Sequence, residues 1–137
     1  MPTDHSVGLS LIVIGVERAI EFYGRALGAE VVSDNRATLK AHHRAELRLG
    51  TSSLSLSERA GDDLTSSAQH FPCGDVAIEI IVDNLDQAVR RAMDAGGQPI
   101  ETSNRAFRGD TSFTFRDPFG YCWALSTFLD DAGPLCL

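Results

Sequence analysis

The alternation of apolar and polar positions along this chain repeats itself at an offset of 69 residues. Val7 to Ile14 is an almost continuous apolar run, which predicts a strand buried on much of both faces. From Val16 the period changes to steps of three and four. Ala19, Ile20, Phe22, Tyr23, Ala26 and Leu27 then form one stripe, and Gly28 supplies the stop of an amphipathic helix. The same grammar returns in Val76–Val82, Leu85–Ala95 and Gly96–Gly97, so that Ile12 falls on Ile81, Ala19 on Ala88, Ala26 on Ala95 and Gly28 on Gly97.

Each copy continues into further strands. Ala29–Ser33 and Ala37–Ala41 read as short strands broken at Asp34 and Asn35. Ala45–Leu49 and Ser52–Ser57 alternate strictly around Gly50-Thr51, a two-residue hairpin signal. In that register Ala45, Leu47 and Leu49 share an apolar face with Leu54 and Leu56. Arg44, Glu46 and Arg48 share the polar face with Ser53, Ser55 and Ser57. In the second copy Pro99–Glu101 is a short strand and Thr102–Asp110 a loop. Thr111–Arg116 then pairs with Tyr121–Thr127 across the turn Asp117-Pro118-Phe119-Gly120, where Pro presets the bend and Gly takes the left-handed geometry. This pattern predicts one α+β domain of two modules, about 6–58 and about 75–128, joined by a linker of about 59–74 and followed by a tail, 129–137. Two such modules can set their sheets against each other and leave a cleft.

With 137 residues, 43% of them hydrophobic, the chain can bury a substantial core. No run approaches the roughly 20 apolar residues that span a bilayer, and Met1–Val7 lacks the features of a signal peptide, which predicts a cytoplasmic protein without membrane contact. Cys73, Cys122 and Cys136 are odd in number and lack metal-type spacing, a pattern of reduced thiols. The formal charge of −7 opposes general nucleic-acid binding and favours cationic small molecules. Eleven of the twelve basic residues are Arg, a codon bias of GC-rich bacterial genomes.

Three segments carry a resemblance: Glu17-Arg18-Ala19-Ile20-Glu21-Phe22-Tyr23 after the first strand, the helix stop Leu27-Gly28-Ala29-Glu30, and Phe115-Arg116-Asp117-Pro118-Phe119-Gly120 followed by Trp123. In this order within a duplicated frame they resemble the vicinal oxygen chelate superfamily, which includes glyoxalase I, ring-cleaving dioxygenases, fosfomycin-modifying enzymes and bleomycin resistance proteins. The nearest sub-pattern is that of small bleomycin-resistance-like or PhnB-like members. The resemblance implies two βαβββ modules forming a curved mixed sheet around a cleft, often completed by a second subunit as a homodimer.

It also implies where a divalent metal would be held. The first-strand positions correspond to Gly8 and, at the same offset, Ala77; the last-strand positions correspond to Ser55 and Ala124. None of these side chains ligates a metal well, so no metal and no cofactor are expected there. A displaced site would draw on Glu46, Glu79, His5, His42 or His43.

Alternation turns Gly8, Ser10, Ile12, Ser53, Ser55, Ser57, Ala77, Glu79, Ile81, Ser112, Thr114, Cys122, Ala124 and Ser126 toward the cleft. Phe113, Phe115, Trp123 and Leu125 turn toward the helices, as core. Stacking against a ligand then falls to loop residues such as Phe71, Phe107 and Phe119, and Asn104, Arg105, Phe107 and Arg108 form a candidate rim. The expected ligand-binding set is Ser10, Glu46, Arg48, Ser55, Glu79, Phe107, Ser112, Thr114, Cys122 and Ala124, with Cys122 a small buried thiol and no catalytic residue. The function expected is non-catalytic sequestration of a bulky, aromatic, DNA-binding natural-product antibiotic, conferring drug resistance. The alternatives are a metal-dependent glyoxalase, dioxygenase or lyase with displaced ligands, and a PhnB-like domain of unassigned role.

Overall fold

The computed structural model describes residues 7–35, 43–59, 77–100 and 112–127. Its elements run β1 (Leu9–Val13), α1 (Val16–Leu27), β2 (Glu30–Asp34), β3 (Arg44–Leu49), β4 (Ser52–Glu58), β5 (Ile78–Ile81), α2 (Leu85–Ala95), β6 (Gln98–Pro99), β7 (Ser112–Arg116) and β8 (Cys122–Ser126). They form two four-stranded mixed sheets, ordered β1-β4-β3-β2 and β5-β8-β7-β6, the two βαβββ modules expected. β1 runs parallel to β4 and β5 parallel to β8, and the remaining pairs are antiparallel. The expected strand at Ala37–Ala41 and the loop Thr102–Asp110 lie outside the described residues.

The helix-facing side of each sheet makes the core. Leu11, Val13, Ala45, Leu47, Leu54 and Leu56 from the first sheet, and Phe115, Trp123 and Leu125 from the second, are buried against the helices. α1 contributes Val16, Ala19, Phe22, Tyr23 and Ala26, spaced to lie along one face. Burying each large side chain contributes about 1.5–3 kcal/mol. α1 ends at Gly28, whose left-handed backbone turns its N–H back to the Gly24 carbonyl at 3.1 Å. The start of α1 is less ordinary. Gly15 at its N-cap has no side chain to offer, and the Glu58 carboxylate takes that role from the end of β4, accepting from the N–H groups of Gly15 at 2.7 Å and Val16 at 2.9 Å. Glu58, the last residue of the expected first module, thus ties the end of β4 to the start of α1. α2 is capped locally: Asn84 accepts from the N–H of Gln87 at 3.0 Å.

The turn between β7 and β8 joins the modules. Asp117, 2% exposed, accepts four hydrogen bonds. Its Oδ2 takes the Tyr23 hydroxyl and the Trp123 Nε1–H, the latter at 2.8 Å, and its Oδ1 takes the N–H groups of Phe119 and Tyr121 at 2.8 and 2.9 Å. The Tyr121 hydroxyl donates to the Ile12 carbonyl at 2.8 Å and accepts from the Ile12 N–H at 3.2 Å, closing part of the outer edge of β1. Phe119 is buried between Phe22 and Tyr23, with ring centroids 6.3 and 5.9 Å away, and Arg18 lies over its ring at 5.7 Å. Phe119 is thus core, not the exposed stacking platform its place in a turn suggested.

Burial is the largest influence on Asp117 and holds its carboxyl above the ordinary carboxylate range, against the pull of its four donors. Burial, and then the neighbouring Asp117 charge, keep the Tyr23 phenol far above its usual range, so the hydroxyl stays protonated and donates.

Candidate functional site

The sheet faces turned away from the helices carry the polar candidates, in matched rows. Across β1, β4 and β3 lie Ser10, Ser55 and Glu46, and in the next row Ile12, Ser57 and Arg44. Across β5, β8 and β7 lie Glu79, Ala124 and Thr114, and next to them Ile81, Ser126 and Ser112. Two strands of each row correspond at the 69-residue offset, Ser10 to Glu79, Ile12 to Ile81, Ser55 to Ala124 and Ser57 to Ser126, and the third at 68, Glu46 to Thr114 and Arg44 to Ser112. Ile12 and Ile81 are 44% and 45% exposed, an unusual state for large aliphatic side chains at equivalent places on two sheets.

Of the expected ligand residues, Ser10, Ser55 and Glu46 lie together on the first sheet, and Glu79, Thr114, Ser112 and Ala124 on the second. Phe107 lies outside the described residues, as do His5, His42, Phe71, Asn104, Arg105 and Arg108. Arg48 differs from a free anchor, because its guanidinium on β3 bonds the Glu30 carboxylate of the edge strand β2 at 2.8 Å. That exposed pair contributes little to stability. His43 points into the protein, where its Nε2 lies 2.7 Å from the Asp34 carboxylate, so it is a satisfied interior histidine. Cys122 also departs from expectation. It is disulfide-bonded, not a reduced thiol, with its partner outside the described residues, and it offers a ligand no free S–H. The thiols accordingly no longer argue for a reducing compartment.

Ser126 stood among the cleft-facing positions without a role of its own. The structure gives it one: its hydroxyl donates to Glu79 Oε2 at 2.9 Å, the side chain-to-side chain hydrogen bond of the second polar face. Parallel pairing of β5 and β8 sets Glu79 beside Ala124 and one row from Ser126, close enough for this contact. Alternation placed both residues on one face, but only the strand pairing brings them together.

The sequence matches the glyoxalase/bleomycin resistance protein/dioxygenase superfamily over residues 4–125. The chain belongs to this superfamily. Comparison with curated proteins finds no match. Among solved structures, an Arabidopsis thaliana gene product is similar with a TM-score of 0.72 and 24% identity over 90% of this chain and 99% of that one. A fosfomycin resistance protein, FosX, from Mesorhizobium loti gives 0.67 and 17%, over 92% of each chain. A mutant FosX from Listeria monocytogenes, complexed with Mn(II) and 1S,2S-dihydroxypropylphosphonic acid, gives 0.71 and 18%, over 98% of this chain and 94% of that one.

These likenesses correct the expectation that the chain is not an enzyme. The fold it shares is that of fosfomycin resistance proteins, one of them holding a metal and a small molecule, which points to the enzymatic members of the superfamily and lends a non-catalytic role no support. The metal is a separate question, decided by the side chains present. The Cβ of any side chain at Gly8 would meet no atom within 4 Å, so the place has space but no donor. Ala77 and Ala124 have no donor, and Ser55 offers a hydroxyl that ligates weakly. Among the described residues no three His, Cys, Asp or Glu side chains gather closely enough to hold an ion. These residues do not fit the divalent metal of the superfamily. Among the described residues, no helix is long and apolar enough to cross a membrane.

Proposed function

We propose that this chain takes up a bulky natural-product antibiotic on the helix-free faces of its two sheets, in a drug-resistance role. The observation that carries the reading is the pair of matched faces that, among the described residues, no helix covers, lined by Ser10, Ser55, Ser57, Ser112, Thr114 and Ala124, with the hydrogen-bonded Glu79 and Ser126 at 2.9 Å on one of them. Small side chains leave room for a large ligand, while hydroxyls and the Glu46 and Glu79 carboxylates anchor it. The fosfomycin resistance of structural neighbours supports the drug-resistance context. A second copy of the chain completes the site by covering Ile12 and Ile81, so the working form is a homodimer. Glu79 and Ser126 are the hydroxyl–carboxylate pair that can exchange a proton with the bound molecule.

The test is a thermal-shift screen of the purified protein against DNA-binding peptide antibiotics, glycopeptides of the bleomycin type and fosfomycin. Mass spectrometry of the recovered compound and light scattering of the protein accompany it. One compound class is expected to raise Tm, with the shift reduced in Glu79→Gln and Ser126→Ala, and the protein is expected to elute as a dimer. A changed compound mass would identify the chemistry done at the pair. Absence of a shift with every compound would overturn the reading.

A further inference from the structure

We infer that the groove between the two helices is a second small-molecule site, suited to a compound with one aromatic ring and a carboxylate. The groove has a volume of about 190 Å³, a floor that includes Ile80, Val82, Ala88 and Leu125, and a rim that includes Gln87 and Arg91. Ile80 and Leu125 pair across β5 and β8 on the side opposite Glu79 and Ala124. The groove is therefore separated from the polar faces by the thickness of the second sheet, and the inference does not depend on the function proposed for them.

The internal repeat says what such a groove holds. Subtracting 69 from Gln87, Ala88 and Arg91 gives Arg18, Ala19 and Phe22. That equivalent place on α1 is already filled. The Phe119 ring, from the turn of the other module, lies there with its centroid 6.3 Å from that of Phe22 and 5.7 Å from the Arg18 guanidinium carbon. The corresponding turn of the first module is the Gly50-Thr51 hairpin, which is one residue shorter, because Leu54 corresponds to Trp123 at 69 but Leu47 to Phe115 at 68, and it carries no aromatic ring. Gly50 has no side chain, and no atom lies within 4 Å of where its Cβ would be. One of two equivalent places thus has its aromatic ring built in, and the other lacks one. Apolar cavities of about 150 Å³ hold benzene, so the open groove has the capacity for a single ring.

Charge selects the rest of the ligand. Arg91 stands where α1 has Phe22, and its Nη2 reaches the Gly24 carbonyl at 3.5 Å, the outer limit of a hydrogen bond. No carboxylate pairs with this exposed guanidinium among the described residues. A ring seated as Phe119 is seated leaves an attached carboxylate at the rim for bidentate capture by Arg91. Asp83, the carboxylate of the rim, lies before the N-cap Asn84 of α2, eight residues ahead of Arg91 and outside the helix that carries it. The acid end of the ligand thus belongs at Arg91.

Phenylacetate is the probe, with acetate and phenethylamine as controls, followed by amide chemical-shift perturbation in the full chain. Phenylacetate is expected to move the amides of 26–28 and 80–91, and acetate to leave them unmoved. Arg91→Ala should weaken binding about tenfold, the loss of one charge-assisted contact. Ala88→Leu, which fills the floor, should abolish it. Gln87→Phe, on the exposed rim, gives a second occluding variant should the core change unfold the protein. Binding of phenethylamine as tight as that of phenylacetate would overturn the assignment, as would wild-type affinity in both Arg91→Ala and the occluding variant. Perturbations confined to Ser55, Glu79 and Ser126 would overturn it too, by placing the probe on the polar faces.

Discussion

α1 and α2 occupy equivalent places in the two modules, yet α1 buries five side chains and α2 buries Ala92 alone. The difference does not lie in the parallel strand pairs, since β1 with β4 and β5 with β8 match in register at the 69-residue offset. It lies in what each turn sends across to the other module's helix. The turn from Asp117 to Tyr121 delivers a buried carboxylate, a phenyl ring and a phenol to α1 and β1, whereas the Gly50-Thr51 hairpin has nothing comparable to deliver to α2. Duplication preserved the strand pairing and let the helix side diverge. Module one is therefore expected to be the stiffer half and α2 the more readily opened.

The sharpest test of that asymmetry compares Phe22→Ala with Arg91→Ala at matched positions. Phe22 sits in a closed aromatic cluster, so its truncation is expected to cost about 3–5 kcal/mol. Arg91 is exposed beside an open groove, and its truncation should stay within about 0.5 kcal/mol. Denaturant titration of both variants measures the difference. Similar losses at the two positions would mean that α2 is as tightly packed as α1.

A second comparison sets Asp117 against an amide of the same shape. In Asp117→Asn one acceptor oxygen becomes an NH2 group facing donors from Tyr23 and Trp123 or from the turn backbone, which should cost about 2–3 kcal/mol. The pH dependence has a defined sign. The Asp117 carboxyl is held above its unfolded value of 3.8, so between that value and the higher folded one the native state binds more protons than the unfolded chain. Its contribution to stability is fully present below 3.8 and is lost as pH rises through the folded value. Stability measured from pH 7 down to 4 should accordingly show the variant's deficit widening as the solution becomes more acidic. A deficit that is constant across the range would show that Asp117 titrates alike in both states.

Much of this was legible in the sequence, for a physical reason. Period-two and period-three-to-four patterns report which face is apolar, so both helices, the β3–β4 hairpin and the core side of Phe115, Trp123 and Leu125 could be placed. The polar face of each sheet followed from the same alternation. What remained hidden were the partners that polar groups choose at long range. Asp117 reads as a turn former because its neighbours are Pro118 and Gly120, and nothing local says that its other oxygen faces Tyr23, 94 positions away in the chain. The available signal was indirect: a Tyr and a Trp expected in the core each carry a donor that requires a buried acceptor. Arg48 looked free for the same reason, since its partner Glu30 lies 18 positions away on another strand.

The smallest expected effect concerns the helix starts, where the modules use different means to one end. Asn84 caps α2 from within its own turn, whereas α1 depends on Glu58, 43 residues away from Gly15. Asn84→Ala and Glu58→Gln should each cost about 1 kcal/mol. The two should part company in salt and in reach. The Glu58 carboxylate carries a full charge against the N-terminal end of α1, so its share should shrink as ionic strength rises, while the neutral Asn84 cap should not respond. Hydrogen exchange extends the test. Losing Glu58 should release amides of β4 as well as those of α1, because the same side chain ties the end of one element to the start of the other, and losing Asn84 should release only the first turn of α2. Exchange limited to α1 in Glu58→Gln would reduce Glu58 to a local cap and leave the Asp117 turn to account for the stiffness of module one.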